Sequence, residues 1–172
     1  MVELILGGVR SGKSSLAEKR AEDSGLQVVY VATAEALDEE MRQRIEHHRS
    51  RRPKEWALIE VGEDLAKILK LESRQDRCML VDCLTLWMTR MLCKGEDESM
   101  RIQIDALLDV LPDLSGRVIL VSNETNMGIV PMGELSRRYC DEVGRLHQRL
   151  GKICDSVILT VAGLPLSVKG TI

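Results

Sequence analysis

The sequence is nearly without aromatic rings. It has no Phe, and its aromatic residues are Trp56, Trp87, Tyr30 and Tyr139, 2% of 172 residues. Proteins that read RNA or single strands need rings on which bases stack, and this chain hardly has the rings to build such a platform. Positive charge is not in excess either. The formal net charge is −3, which speaks against a general nucleic-acid-binding protein. Proline is scarce (4 residues) and the 44% hydrophobic content is ordinary, so disorder is not expected. No apolar run reaches the ~18 residues needed to cross a bilayer. The opening stretch Met1–Leu6 is too short, and lacks the basic residues, for a secretory signal; the expected location is cytoplasmic. The five cysteines, Cys78, Cys83, Cys93, Cys140 and Cys154, are odd in number and form no C-x-x-C pair. Reduced thiols in apolar segments are therefore expected, rather than a disulfide frame or a zinc site. Three histidines, His47, His48 and His147, are too few for a His-rich metal site.

What is present reads as one domain over residues 1–172. Short apolar runs alternate with helical patterns. Strands are expected at Val2–Leu6, Gln27–Ala32, Trp56–Glu60, Cys78–Asp82, Arg117–Ser122 and Ser156–Ala162, with a short last one near Leu166–Lys169. Helices are expected at Ser14–Asp23, Glu39–Arg52, Asp64–Leu71, Leu84–Cys93, Met100–Leu111 and Glu134–Lys152, and Gly95–Ser99 reads as a polar loop. Such alternation implies parallel crossovers and a layered α/β fold. Runs such as Val118-Ile119-Leu120-Val121 suit a sheet covered on both faces. In the last helix, Leu135, Tyr139, Val143, Leu146, Leu150 and Ile153 recur at spacings of three or four and draw one apolar stripe.

The segment Gly7-Gly8-Val9-Arg10-Ser11-Gly12-Lys13-Ser14 fits G-x-x-x-x-G-K-[ST] in full. An apolar strand precedes it and a helical run follows. Glycines let the backbone curl so that N–H groups face phosphates, and the helix N-terminus adds partial positive charge. Lys13 is expected to reach the β- and γ-phosphates and Ser14 to hold Mg²⁺. Such a site needs an acid at the end of a neighbouring strand, and Cys78-Met79-Leu80-Val81-Asp82 ends in one. Asp82 suits a metal role, an N-cap role for the next helix, or both.

Residues 42–54 hold six of the 24 Lys and Arg residues and two of the three histidines. Asp38 reads as an N-cap and Pro53 as the stop. Arg44, His47, His48 and Arg51 fall on one helical face. Such a stripe is commonly a solvated face. It would equally serve a nucleotide, since a neutral imidazole attacks phosphorus and arginines stabilise the developing charge. These residue types leave both readings open.

Taken together, the motifs resemble a known family over essentially the whole chain. It is the bifunctional adenosylcobinamide kinase / adenosylcobinamide-phosphate guanylyltransferase family of cobalamin biosynthesis. The resemblance rests on the P-loop, on Tyr30-Val31-Ala32-Thr33-Ala34 and on Asp38-Glu39-Glu40-Met41. It continues through Arg44-Ile45-Glu46-His47-His48-Arg49, the run from Arg52-Pro53-Lys54-Glu55-Trp56 to Glu60, and Val81-Asp82-Cys83-Leu84-Thr85-Leu86-Trp87. Val121-Ser122-Asn123-Glu124 and Gly128-Ile129-Val130-Pro131 complete it. The resemblance implies a three-layer P-loop NTPase (RecA-like) fold with a mostly parallel central sheet. It also implies phosphorylation of adenosylcobinamide by ATP or GTP, then GMP transfer from GTP to the cobinamide phosphate through a guanylyl-histidine. The nucleophile maps to His47. Nucleotide contacts map to Gly7, Gly8, Val9, Arg10, Ser11, Gly12, Lys13 and Ser14, to Ala32, Thr33 and Ala34, to His48, Arg49, Ser50 and Arg51, and to Glu60 and Asp82. Mg²⁺ on Ser14 and Asp82, and a homotrimer, are implied as well. The chain departs from the pattern at Thr125-Asn126, where Val-Gly is common, at Cys140 in place of arginine, and at His147 in place of asparagine. His147, beside the apolar stripe, is read as structural.

Overall fold

The computed structural model describes residues 1–34, 39, 53 and 55–171. The expected helix Glu39–Arg52, and with it His47, His48, Arg49, Ser50 and Arg51, lies outside the described residues apart from Glu39, which is helical.

Seven strands form one sheet in the order β3-β2-β4-β5-β1-β6-β7. They are β1 Val2–Gly7, β2 Gln27–Ala32, β3 Ala57–Glu60, β4 Arg77–Asp82, β5 Arg117–Asn123, β6 Ser156–Val161 and β7 Leu164–Lys169. Every neighbouring pair is parallel except β6–β7. The helices bounded within the described residues are α1 Lys13–Glu22, α2 Leu65–Glu72, α3 Leu84–Lys94, α4 Asp97–Val110 and α5 Glu134–Ile153. This is the layered, mostly parallel architecture that the strand–helix alternation predicts.

The central strands β1, β2, β4 and β5 are apolar at consecutive positions because both their faces are covered. Val2, Leu4, Val29, Val31, Met79, Val81, Val118 and Leu120 feed the larger core, which includes Leu69 of α2, Trp87 of α3, Leu107 of α4 and Val143 of α5. Ile5, Val28, Tyr30, Cys78, Leu80, Ile119 and Val121 feed a smaller core with Ala17 and Ala21 of α1. In a core so poor in rings, Trp87 is a large fully buried filler. Its indole N–H donates to the Glu63 carbonyl at 3.0 Å, which removes the cost of burying it.

Three local readings change. Asp97–Ser99 belong to α4 rather than to a polar loop: Asp97 and Glu98 occupy its first turn, where acids favour the helix dipole. Asp97 also pairs with Arg138 of α5. Leu135, expected in the apolar stripe, is 54% exposed, because the first turn of α5 projects past the core that buries Val143, Leu146 and Leu150. The last strand starts at Leu164, and β6 stops at Val161, because Ala162 (φ 51°) and Gly163 (φ 80°) make a two-residue hairpin turn with both residues left-handed. The cysteines are free; Cys78 and Cys154 are buried, whereas Cys93 is exposed.

Candidate active site

Parallel strands end at one edge, and ligands of such sheets bind there. The register aligns Ala32 with both Glu60 and Asp82, and Gly7 with both Asn123 and Thr160. Glu60, Ala32, Asp82, Asn123 and Gly7 therefore line the carboxyl edge. Glu60 and Asp82 stand two strand spacings apart, roughly 10 Å.

The P-loop leaves β1 at Gly7 and enters α1 at Lys13. Gly12, the N-cap of α1, has φ 94°, a conformation that side chains resist. Ser11 N–H donates to the Gly8 carbonyl at 3.2 Å and closes the turn. Gly8, Val9 and Arg10 form an exposed crown, and Arg10 has φ 57°. Lys13 Nζ donates to the Gly8 carbonyl at 3.4 Å, so the ammonium lies folded over the loop. The loop is held from outside the motif as well. Gly163 N–H donates to the Ser11 carbonyl at 2.8 Å, and Glu124 N–H to the Gly7 carbonyl at 3.0 Å. A Cβ on Gly7 would stand 2.4 Å from Ser11 Oγ and 2.7 Å from the Thr160 carbonyl, so β6 leaves no room for a side chain.

Asp82 ends β4 on the same face of the sheet as α1. Its Oδ2 accepts the Tyr30 hydroxyl at 3.0 Å. The Asp82–Cys83 peptide bond is cis. Thr33 Oγ1 donates to the Cys83 carbonyl at 2.6 Å and accepts from Cys83 N–H at 2.9 Å. Thr33 is buried, and its hydroxyl is thus committed to holding the strand end. Burial, reinforced by the neighbouring Asp82 charge, pushes the Cys83 thiol up to about 11, so it stays protonated and inert at neutral pH. Asp82 and Ser14 offer carboxylate and hydroxyl oxygens, the donors a hard Mg²⁺ ion takes alongside water. Among the described residues no group of three His, Cys, Asp or Glu forms a protein-only metal cage.

Reasoning from motifs missed several groups around this edge. Tyr30 was placed in a motif but not on Asp82. Asn123 and Glu124 follow an apolar run just as Asp82 does, and that position is the signal that could have found them. Asn123 N–H donates to Thr85 Oγ1 at 2.8 Å, while Asn123 Oδ1 is buried without a partner. His147 packs here too: Nε2 is 2.8 Å from Ser122 Oγ, and burial lowers its pKa below the ordinary value. The Gly163 turn that braces the loop carries no motif and is visible only once β6 lies beside β1.

Similarity to known proteins agrees with this geometry. The chain is 54% identical over 170 residues to the Pseudomonas aeruginosa bifunctional adenosylcobalamin biosynthesis protein CobP, covering 99% of this chain and 98% of that one. It is 36% identical over 182 residues to the Escherichia coli K12 bifunctional adenosylcobalamin biosynthesis protein CobU, covering 98% and 100%. Among solved structures, the RadB recombinase superposes with a TM-score of 0.54 at 18% identity, over 92% of this chain and 73% of that one. A Pyrococcus horikoshii OT3 protein gives 0.55 at 10% identity, over 99% and 87%. These two likenesses show the RecA-like fold alone. The family described as cobinamide kinase / cobinamide phosphate guanyltransferase matches residues 3–168. With a P-loop at the carboxyl edge and relatives that match it end to end, the chain belongs to that family.

Proposed function

We propose that this chain phosphorylates adenosylcobinamide with ATP or GTP and then transfers GMP from GTP to the product, through a guanylyl-histidine on His47. The observation that carries the reading is the coincidence of a complete P-loop, an acid at the end of β4, which β5 separates from the P-loop strand, and a family match over residues 3–168. The P-loop amides and Lys13 hold the triphosphate. Ser14 and Asp82 would hold Mg²⁺, which would supply charge neutralisation on the phosphates. The acceptor hydroxyl attacks the γ-phosphorus in line, and the nucleoside diphosphate leaves. In the second activity neutral His47 attacks the α-phosphorus of GTP and pyrophosphate leaves. The cobinamide phosphate then takes the GMP. Ala32, Thr33, Ala34 and Glu60 flank the nucleotide on the β2–β3 side, and His48, Arg49, Ser50 and Arg51 accompany His47.

The reading includes a cytoplasmic homotrimer. The β6–β7 edge supports assembly, since Val161, Leu164, Leu166 and Val168 are each more than half exposed, and an uncovered apolar edge strand favours a partner. Met127, Ile129 and Met132, in the loop before α5, are 76%, 98% and 96% exposed and supply apolar surface beside the site for a corrinoid.

Incubation with α-labelled GTP and no acceptor tests the covalent step. An acid-labile, base-stable adduct is expected on the wild-type chain and not on His47→Ala, read by intact mass. No adduct leaves a plain P-loop kinase, and an adduct on the variant removes His47 as the nucleophile. Guanylyl transfer should also weaken below a pH near ~6.5, where an ordinary imidazole takes up a proton.

A further inference from the structure

The P-loop and Asp82 leave one requirement of the first reaction unmet: the acceptor hydroxyl must lose its proton. Strand β5 lies between β1, which carries the P-loop, and β4, which ends in Asp82. Its tip therefore lies between the P-loop and Asp82, the two groups that the proposed function puts around the triphosphate. Glu124, the residue following β5, is tied to the P-loop by its own N–H on the Gly7 carbonyl at 3.0 Å. Its two carboxylate oxygens differ. Oε1 accepts the Asn126 N–H at 2.7 Å, which fixes the group in place. Oε2 makes no hydrogen bond among the described residues and lies 3.9 Å from His147 Nδ1. The His147 ring is locked by Ser122 Oγ at 2.8 Å from Nε2, and its Nδ1 is buried without a partner on the Glu124 side. A purely structural pin would use one oxygen and bury the other. Here one oxygen is anchored and the second stays available, with a 15% exposed side chain and an orphan ring nitrogen close by.

We propose that Glu124 is the general base of phosphoryl transfer, with Oε2 as proton acceptor, and that His147 is the residue that positions it. The proposal rests on the kinase reading above. The acceptor oxygen forms a bond to the γ-phosphorus, and the bond from that phosphorus to the β–γ bridging oxygen breaks. The nucleoside diphosphate leaves with that electron pair, and the hydroxyl proton passes to Glu124 and then to water. The second reaction starts from a phosphate that is already an anion, so it has no need of this base.

Glu124→Gln in the full-length chain separates the possibilities, because the amide oxygen can still accept the Asn126 N–H while the proton acceptor is gone. Three quantities are read: kcat for adenosylcobinamide phosphorylation at saturating ATP, the Kd of a fluorescent ATP analogue, and GTP-dependent conversion of ready-made adenosylcobinamide phosphate. The expected result is a fall in kcat of about 10²-fold or more, with the other two within about threefold of wild type. An unchanged kcat overturns the proposal. So does a parallel loss of all three, which identifies a structural pin. His147→Ala is expected to lower the same kcat about tenfold with Kd unchanged, and a wild-type kcat there overturns the positioning role. If the wild-type chain itself fails to phosphorylate adenosylcobinamide, the kinase reading falls and the base falls with it.

Discussion

At the amino end of β1, the Glu3 carboxylate is fully buried and both its oxygens are used. Arg20 donates to Oε1 and Oε2 at 2.6 Å each, Ser156 Oγ donates to Oε2 at 2.9 Å, and Arg117 lies 3.5 Å away. At the carboxyl end of the same strand, Ser11 Oγ, Asn123 Oδ1, His147 Nδ1 and Thr160 Oγ1 are buried with no partner. Arg117 Nε is an orphan at the amino end, but the charge it faces is met. A buried charge survives only with compensation, whereas orphan polar atoms need a reason beyond stability. One end of the sheet is built to hold the fold together. The other keeps unspent hydrogen-bonding capacity beside a phosphate-binding loop.

Substitutions at the two ends should separate stability from activity. The largest effect is expected for Lys13→Ala: a loss of about 10³-fold in phosphorylation, roughly 4 kcal/mol of transition-state stabilisation, with the unfolding midpoint in urea nearly unchanged. Glu3→Ala should do the reverse. It leaves Arg20 and Arg117 without their acid and should cost about 3 kcal/mol of stability by urea titration, with kcat retained at low temperature. A drop in kcat at 10 °C for Glu3→Ala would erase the distinction between the ends.

A smaller effect is expected at His147. Burial holds its folded pKa below the unfolded value of ~6.5. The unfolded chain therefore binds more protons as pH falls through 6.5. The contribution to stability is present above that pH and is lost on acidification toward the folded pKa. His147→Asn should flatten the loss of stability between pH 7.5 and 5.5, read by urea titration at the two pH values, and an unchanged slope would remove His147 from the comparison. The smallest effect belongs to neither end. Arg101 pairs with Glu98 at 2.9 Å on the exposed face of α4, and Arg101→Ala should shift stability by no more than about 0.5 kcal/mol.

Much of this was legible before any tertiary structure. Gln27–Ala32 coincides with β2, and Asp82 closes β4, because continuous apolar runs bounded by polar residues carry their own limits. The P-loop was legible because its chemistry needs particular residues at fixed offsets. The misread places are those where a neighbour decides. Nothing local reveals that the first turn of α5 exposes Leu135, or that Asp97 pairs with Arg138 of α5. Within the site, Lys13 and Ser14 are legible from motif spacing and Asp82 from its place after an apolar run. Tyr30 on Asp82, Gly163 on Ser11 and His147 beside Glu124 join residues 52, 152 and 23 positions apart.

The sequence alone determined the alternation of elements, the phosphate-binding loop with its partner acid, and the family. Each is written in short-range patterns of polarity and residue type. Its poverty in aromatic rings speaks against a base-stacking reader, and a loop that grips phosphate with backbone N–H groups needs no ring. Only the tertiary structure decided the strand order that puts β5 between the P-loop and Asp82. It also decided which buried polar atoms are satisfied at one end of the sheet and left open at the other. Burial and hydrogen-bond completion depend on what packs against a residue, and that is set by crossovers between distant segments.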